Sequence, residues 1–147
     1  MAIADLAKAC ADGGSVPLSA IAERQMISLA YLEQLFGKLR RANLIESERG
    51  RAGGYRLARL PKSITVAEVM AAVAENTDMT RCGSGASEPC LAGTRCMTHD
   101  LWEALGDHID AFLSSVTIQQ VIDGDVGRRL PPVLAPHVVF TGGIVVR

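Results

Sequence analysis

Residues 18–57 read LSAIAERQMISLAYLEQLFGKLRRANLIESERGRAGGYRL, and the order of periodicities in this stretch decides the fold. A short helix is predicted from about Ser19 to Gln25, with Leu18, Ile21 and Ala22 inward and Ser19 as its N-cap. Met26-Ile27-Ser28 makes a tight connection, and Ser28 can cap a second helix that runs to about Arg41. Leu29, Leu32, Leu35, Phe36 and Leu39 form the apolar stripe of that helix, while Ala30, Tyr31, Gln34, Lys38 and Arg41 occupy the other side. Two short helices in this arrangement, the second polar and basic outside, form a helix-turn-helix. After Asn43 the pattern alternates, so Leu44–Arg49 and Tyr55–Leu57 read as strands. Gly50-Arg51-Ala52-Gly53-Gly54 joins them, its glycines supplying the positive φ angles of a hairpin. The fold class that follows is mainly α (α+β): a winged helix-turn-helix with a β-hairpin wing.

Outward from this stretch the chain is of ordinary composition, with 147 residues, 48% hydrophobic and 21% charged, enough for one domain with a core that needs no disulfides. The formal net charge of -1 conceals a division. From Arg24 to Lys62 nine basic residues face three acidic ones, a balance of +6; from Ser63 to Gly127 two basic face ten acidic ones, a balance of -8. The first half suits a phosphate backbone and the second does not. No apolar run approaches the roughly 18 residues of a membrane span, and Met1–Cys10 carries no basic leader, so a cytoplasmic protein without membrane attachment is expected. No catalytic acid-base pair or nucleotide-binding loop is recognisable, which argues against an enzyme.

Ile3, Leu6, Ala7 and Cys10 recur at helical spacing ahead of Asp12-Gly13-Gly14, so the sequence opens inside a helix. Thr65-Val66-Ala67-Glu68 is a capping box that starts another helix, with Val66, Val69, Met70 and Val73 inward and an end near Asn76. Thr77–Arg95 has neither period and reads as a long loop, a length that calls for a function. From about Thr98 to Ser115 a long helix aligns Leu101, Leu105, Ile109, Phe112 and Val116, with Trp102 and Leu113 beside them. Because the wing domain's helices already have a core, this stripe is expected to pack on a second copy, giving a homodimer. Thr117–Ile122 adds a further helical turn or two, and the remainder reads as a tail.

The loop carries the chemistry. Cys82-x7-Cys90-x5-Cys96-x2-His99 groups three thiols and an imidazole, whereas Cys10 stands alone as a small core residue and His108 and His137 lack companions. Structural zinc sites favour closer cysteine pairs, and wide spacing suits a cluster several ångströms across, so an iron-sulfur centre, a zinc site and free thiols on a loop all stay open. On the helix-turn-helix, Gln34 can bond adenine bidentately, Lys38, Arg40 and Arg41 can neutralise phosphates, and Arg49 and Arg51 on the wing can enter a minor groove. Glu33 is repelled by phosphate unless it accepts from a cytosine amino group, which would discriminate among sites. Ser28 and Tyr31 complete the candidate DNA-facing set, with double-stranded DNA the expected partner.

Several motifs together are similar to the IscR family of winged-helix iron-sulfur cluster regulators: Ile21-Ala22-Glu23-Arg24-Gln25, Leu32-Glu33-Gln34-Leu35-Phe36, Arg49-Gly50-Arg51-Ala52-Gly53-Gly54-Tyr55, Arg81-Cys82 and Cys96-Met97-Thr98-His99-Asp100-Leu101-Trp102. The resemblance runs from Ala2 to about Ile122. It implies a 2Fe-2S cluster on Cys82, Cys90, Cys96 and His99, a dimer through the long helix, control of iron-sulfur assembly genes, and assembly proteins as cluster donors. It also divides the chain into a DNA-binding domain (1–62), a connecting helix (63–76), a cluster-binding loop (77–97), a dimerisation helix with a short following helix (98–123) and a tail (124–147). Ala30 stands where a Ser occurs in the family, and the first ligand gap is two residues longer than is common. Regulators of the same fold that sense nitric oxide or redox state, and a zinc-stabilised interaction module, are the alternative functions.

Overall fold

The computed structural model describes residues 2–11, 13–50, 53–73 and 94–126. Its elements, in order, are α1 (Ala2–Ala9), α2 (Leu18–Gln25), α3 (Leu29–Arg41), β1 (Ile45–Glu48), β2 (Gly54–Leu57), a 3-10 turn (Pro61–Ser63), α4 (Val66–Val73), α5 (His99–Ser115) and α6 (Ile118–Asp123). Leu6, Ile21, Leu32, Phe36, Leu44, Ile45, Ile64 and Ile118 are fully buried, so one core joins the three N-terminal helices, the wing and α6. Phe36 meets Tyr55 edge-on, ring centroids 5.2 Å apart, which fixes α3 against the wing.

The helix-turn-helix forms as its sequence predicts, with two corrections. Pro17 rather than Ser19 holds the N-cap of α2, at φ -60 and ψ 138. The proline ring presets φ and no N–H is missed there, so the helix starts one residue earlier and Ser19 lies exposed in its first turn. Leu29, expected on the apolar stripe of α3, is 43% exposed, whereas Leu32, Phe36 and Leu39 are buried. Helical side chains lean toward the N-terminus, so the first residue of α3 points past the end of the core. The Ser28 hydroxyl accepts from the Tyr31 N–H at 3.3 Å, capping α3 as expected. Both helices end on non-glycine residues in the left-handed region, Met26 and Asn43, each at φ 55. After each, an amide returns to the helix: Ile27 N–H to Ala22 O and Leu44 N–H to Leu39 O, both 3.0 Å.

The wing pairs β1 with β2 antiparallel, Ile45 opposite Leu57 and Glu48 opposite Gly54. Val16 adds an isolated rung on the other edge of β2 by exchanging two 2.9 Å backbone bonds with Tyr55. This rung explains the glycines better than the turn does. Gly50 takes a positive φ of 119, but a Cβ on Gly54 would stand 2.5 Å from the Val16 backbone and one on Gly53 2.6 Å from the Glu48 carbonyl. These two glycines admit close backbone approach rather than a special φ.

Two capping boxes join the second half to the first. Thr65 and Glu68 satisfy each other's amides at 2.8 and 3.2 Å, and Thr117 and Gln120 repeat the arrangement at 2.8 and 3.3 Å. The two N-cap segments pair through Val66 N–H to Val116 O and Ile118 N–H to Ile64 O, both 2.9 Å, so the C-terminal end of α5 is stapled to the base of the wing domain. Val116 is therefore buried in the chain's own core at 4% exposure and leaves the exposed stripe on which the sequence put it. α4 lies between α3 and α5, and α6 packs on α1. The expected end of α4 near Asn76, most of the long loop, and the tail beyond Val126 lie outside the described residues.

Candidate DNA interface and metal-ligating segment

α3 is 13 residues long, about 20 Å at 1.5 Å per residue, and its buried face leaves Tyr31, Glu33, Gln34, Arg40 and Arg41 exposed. Neither Glu33 nor Gln34 has a hydrogen-bond partner among the described residues. Both therefore keep their full capacity for a base edge. Ser28 is exposed but already occupied as the cap of this helix. Arg40 reaches Ser47 of β1 at 3.4 Å, bracing α3 against the wing.

The basic excess of the first half is distributed unequally. Arg24 forms a forked pair with Asp5 at 3.0 Å, tying α2 to α1. Arg56 lies between Glu46 at 2.9 Å and Glu48 at 3.1 Å, and Arg59 meets Glu68 at 2.8 Å. These three arginines are internally neutralised, which composition could not reveal. Arg41 at the end of α3 and Arg49 at the wing are exposed and have no ion-pair partner among the described residues. Arg51 lies outside the described residues. Lys38, expected on the outer face, is half-buried and donates to the Val73 carbonyl at 2.8 Å.

Of the four candidate metal ligands, Cys96 and His99 are described, and Cys82 and Cys90 are not. Cys96 is half-buried at the end of the loop; its carbonyl accepts the His99 N–H at 3.1 Å, and its sulfur lies 3.6 Å from the Thr98 hydroxyl. His99 opens α5 and is the one buried polar residue among those described, at 4% exposure. Its imidazole and the carboxylates of Asp100 and Glu103 bring their donor atoms within 4.8 Å of one another, a juxtaposition that the cysteine spacing did not disclose. The i and i+4 positions of His99 and Glu103 were the available signal. Arg95 stands 3.8 Å from Asp100. A thiol and an imidazole three residues apart in sequence are soft and intermediate donors, of the types found at zinc and iron-sulfur centres.

Cys10 belongs elsewhere. Its thiol points to the Tyr55 carbonyl at 3.6 Å, and burial pushes it above its ordinary range, with Glu48 adding to the shift and Arg56 opposing it. It is the small packing residue that its helix position predicts.

Along α5, Phe112 and Leu113 pack on the core, while among the described residues the apolar side chains toward its N-terminal end are left largely uncovered. Leu101 is 63% and Leu105 38% exposed, Met97 is fully exposed, and Trp102, Ile109 and Phe112 are half-buried. No helix among the described residues is long and apolar enough to cross a membrane.

Comparison with known proteins agrees with this geometry. Residues 1–124 match the Rrf2 family, described as iron-dependent transcriptional regulator. A protein of Neisseria meningitidis serogroup A named as an HTH-type transcriptional regulator is 55% identical over 113 residues, 77% of this chain and 75% of that protein. The HTH-type transcriptional regulator IscR of Aliivibrio salmonicida is 49% identical over 117 residues, covering 79% of this chain and 68% of its own. Among solved structures, IscR of T. potens superposes with a TM-score of 0.66 at 33% identity, over 88% of this chain and 84% of that one. A winged helix-turn-helix with a long helix after a cysteine-bearing segment, similar over this much of its length to named regulators, belongs to the Rrf2 family as a transcriptional regulator of the IscR type.

Proposed function

We propose that this chain is a homodimeric DNA-binding regulator whose sequence preference depends on a 2Fe-2S cluster held by Cys82, Cys90, Cys96 and His99, and that the genes it controls are those of iron-sulfur assembly. The observation that carries the reading is the buried imidazole of His99, which opens α5 with its backbone amide on the Cys96 carbonyl at 3.1 Å. The donor set fits such a group: thiolates with one imidazole are an iron-sulfur ligand combination. When bound, the cluster supplies a rigid crosslink between loop and helix and a one-electron redox response.

The chain's own residues do the rest. Gln34 and Glu33 read base edges from α3; Tyr31, Arg40 and Arg41 hold the phosphates beside the groove; Arg49 and Arg51 follow the minor groove at the wing. Leu101, Trp102, Leu105, Ile109 and Phe112 pair α5 with its copy, which sets the spacing of the two recognition helices on DNA. Assembly proteins that donate clusters are the corresponding protein partners, and the cytoplasm the corresponding compartment.

A zinc ion is the second reading, favoured by the convergence of Asp100 and Glu103 on His99 within 4.8 Å. Iron, zinc and acid-labile sulfide contents of protein purified without oxygen separate the two. About two irons and two sulfides per chain support the cluster. Stoichiometric zinc without sulfide leaves a DNA-binding regulator with a structural metal.

A further inference from the structure

We propose that Gly37 is a positioning residue for sequence recognition, its missing side chain setting how closely the backbone of α3 approaches the edges of the base pairs. At about 100° per residue, the line of α3 most distant from the buried Leu32, Phe36 and Leu39 runs through Ala30, Gln34, Gly37 and Arg41. Gly37 thus follows Gln34 by one turn and precedes Arg41 by one turn, on the face that the DNA-reading role turns toward the groove.

A glycine in a helix interior costs about 4-fold in the folding equilibrium relative to alanine. Within a fold that cost is offset by a positive φ, by a helix end, or by a neighbour packed too close for a Cβ. Gly37 has none of these. It stands four residues before the last residue of α3, and the positive-φ glycines among the described residues are Gly13, Gly50 and Gly124. A Cβ on Gly37 would meet, among the described residues outside its own helix backbone, only the Nη1 of Arg41 at 3.9 Å, an ordinary contact with the end of a flexible side chain. Gly54, with the Val16 backbone 2.5 Å from its Cβ position, shows what an internal requirement looks like. The requirement at Gly37 therefore comes from what α3 docks against.

An α-helix with its side chains is about 10–12 Å across and the major groove about 12 Å wide. The fit is close, and a methyl group on the leading line holds the helix axis off the base edges. Hydrogen bonds from Gln34 to a base are short and directional, so they weaken steeply with such a standoff. The attraction of Arg40, Arg41 and Arg49 for phosphates falls off slowly with distance. A side chain at position 37 thus removes discrimination before it removes affinity. The inference rests on the reading above in which Gln34 meets a base edge, and it is independent of the metal centre.

The test uses the full chain and its Gly37→Ala variant, purified in the same way and matched in iron and sulfide content. Affinity is measured across a salt series for a duplex selected from a random library by the wild-type protein and for an unrelated duplex of the same length, and the urea midpoint of each protein is recorded. Gly37→Ala is expected to unfold at higher urea, to lose about 10-fold in affinity for the selected duplex, and to keep its affinity for the unrelated one and its salt slope. Gly37→Leu, with a longer side chain, is expected to bind the two duplexes alike. A Gly37→Ala protein that keeps the wild-type ratio of the two affinities overturns the proposal. So does a lower urea midpoint, which would show that the fold itself needs the glycine. An equal fall for both duplexes, with a salt slope shallower by about 1, makes the effect one of phosphate contact and also overturns it. A wild-type protein from which selection enriches no sequence is the distinct failure of base reading itself and removes the proposal with it.

Discussion

Met26 is held at φ 55 with its side chain 94% exposed, so it carries the strain of a left-handed residue without a packing return. Relief of that strain, about 1 kcal/mol, makes Met26→Gly a stabilising substitution, checked by a shift of the urea midpoint to higher concentration. Gly54 is the opposite case. A Cβ there would sit 2.5 Å from the Val16 backbone, and Gly54→Ala is expected to lose about 1–3 kcal/mol. A variant as stable as wild type would show that the Val16 rung is absent in solution. Glu33 is exposed on α3 without a partner among the described residues, and the proposed DNA-reading role would place it in specificity rather than affinity. Glu33→Ala should relax discrimination at one base position by about 1–3 kcal/mol, read from binding to a panel of single-base variants of a selected duplex. Uniform weakening across the panel would contradict that role.

Among the elements, the capping box of Thr65 and Glu68 carries a pH signature. The Thr65 backbone N–H, and then the Arg59 guanidinium, hold the Glu68 carboxyl below its ordinary value of 4.5. A depressed pKa contributes stability that is complete above the unfolded value and lost as pH falls through the folded one. Thermal stability should therefore decline below about pH 4.5 more steeply in wild type than in Glu68→Gln, by a small amount, because the side chain is 41% exposed and screened. Equal slopes would remove Glu68 from the acid response. The elements themselves were legible because each announces itself locally: Ser28 as a cap, Thr65 and Glu68 as a reciprocal pair, and Leu32, Phe36 and Leu39 at helical spacing. The illegible features depend on partners distant in sequence. Val16 explains Gly54, Val73 captures Lys38, Ile64 and Val66 draw Val116 and Ile118 inward, and acids 8 to 19 residues away neutralise Arg24, Arg56 and Arg59. At the candidate metal centre the sequence names Cys96 and His99, which are joined by a backbone bond, while the approach of Asp100 and Glu103 to the His99 imidazole follows from α5 beginning at His99.

At the scale of the whole molecule, a basic reading head and an acidic second half are joined by two backbone bonds at Val66 and Ile118 and by the bond from Lys38. If the proposed dimer forms through the exposed face of α5, Leu105→Glu should convert it into monomer in sedimentation, since a charge in an apolar helix pair is costly to bury, and an unchanged dimer would place the interface elsewhere. Monomerisation should also weaken DNA binding, because two recognition helices no longer bind as a unit. The central claim is that metal-centre occupancy sets DNA recognition. Its most direct test measures affinity and sequence preference for one selected pool of duplexes, at matched salt and protein concentration, with iron-and-sulfide-loaded protein and with the same preparation after cluster removal. The account predicts that the two forms differ in affinity or rank the sequences differently, and identical affinity with an identical ranking would contradict it.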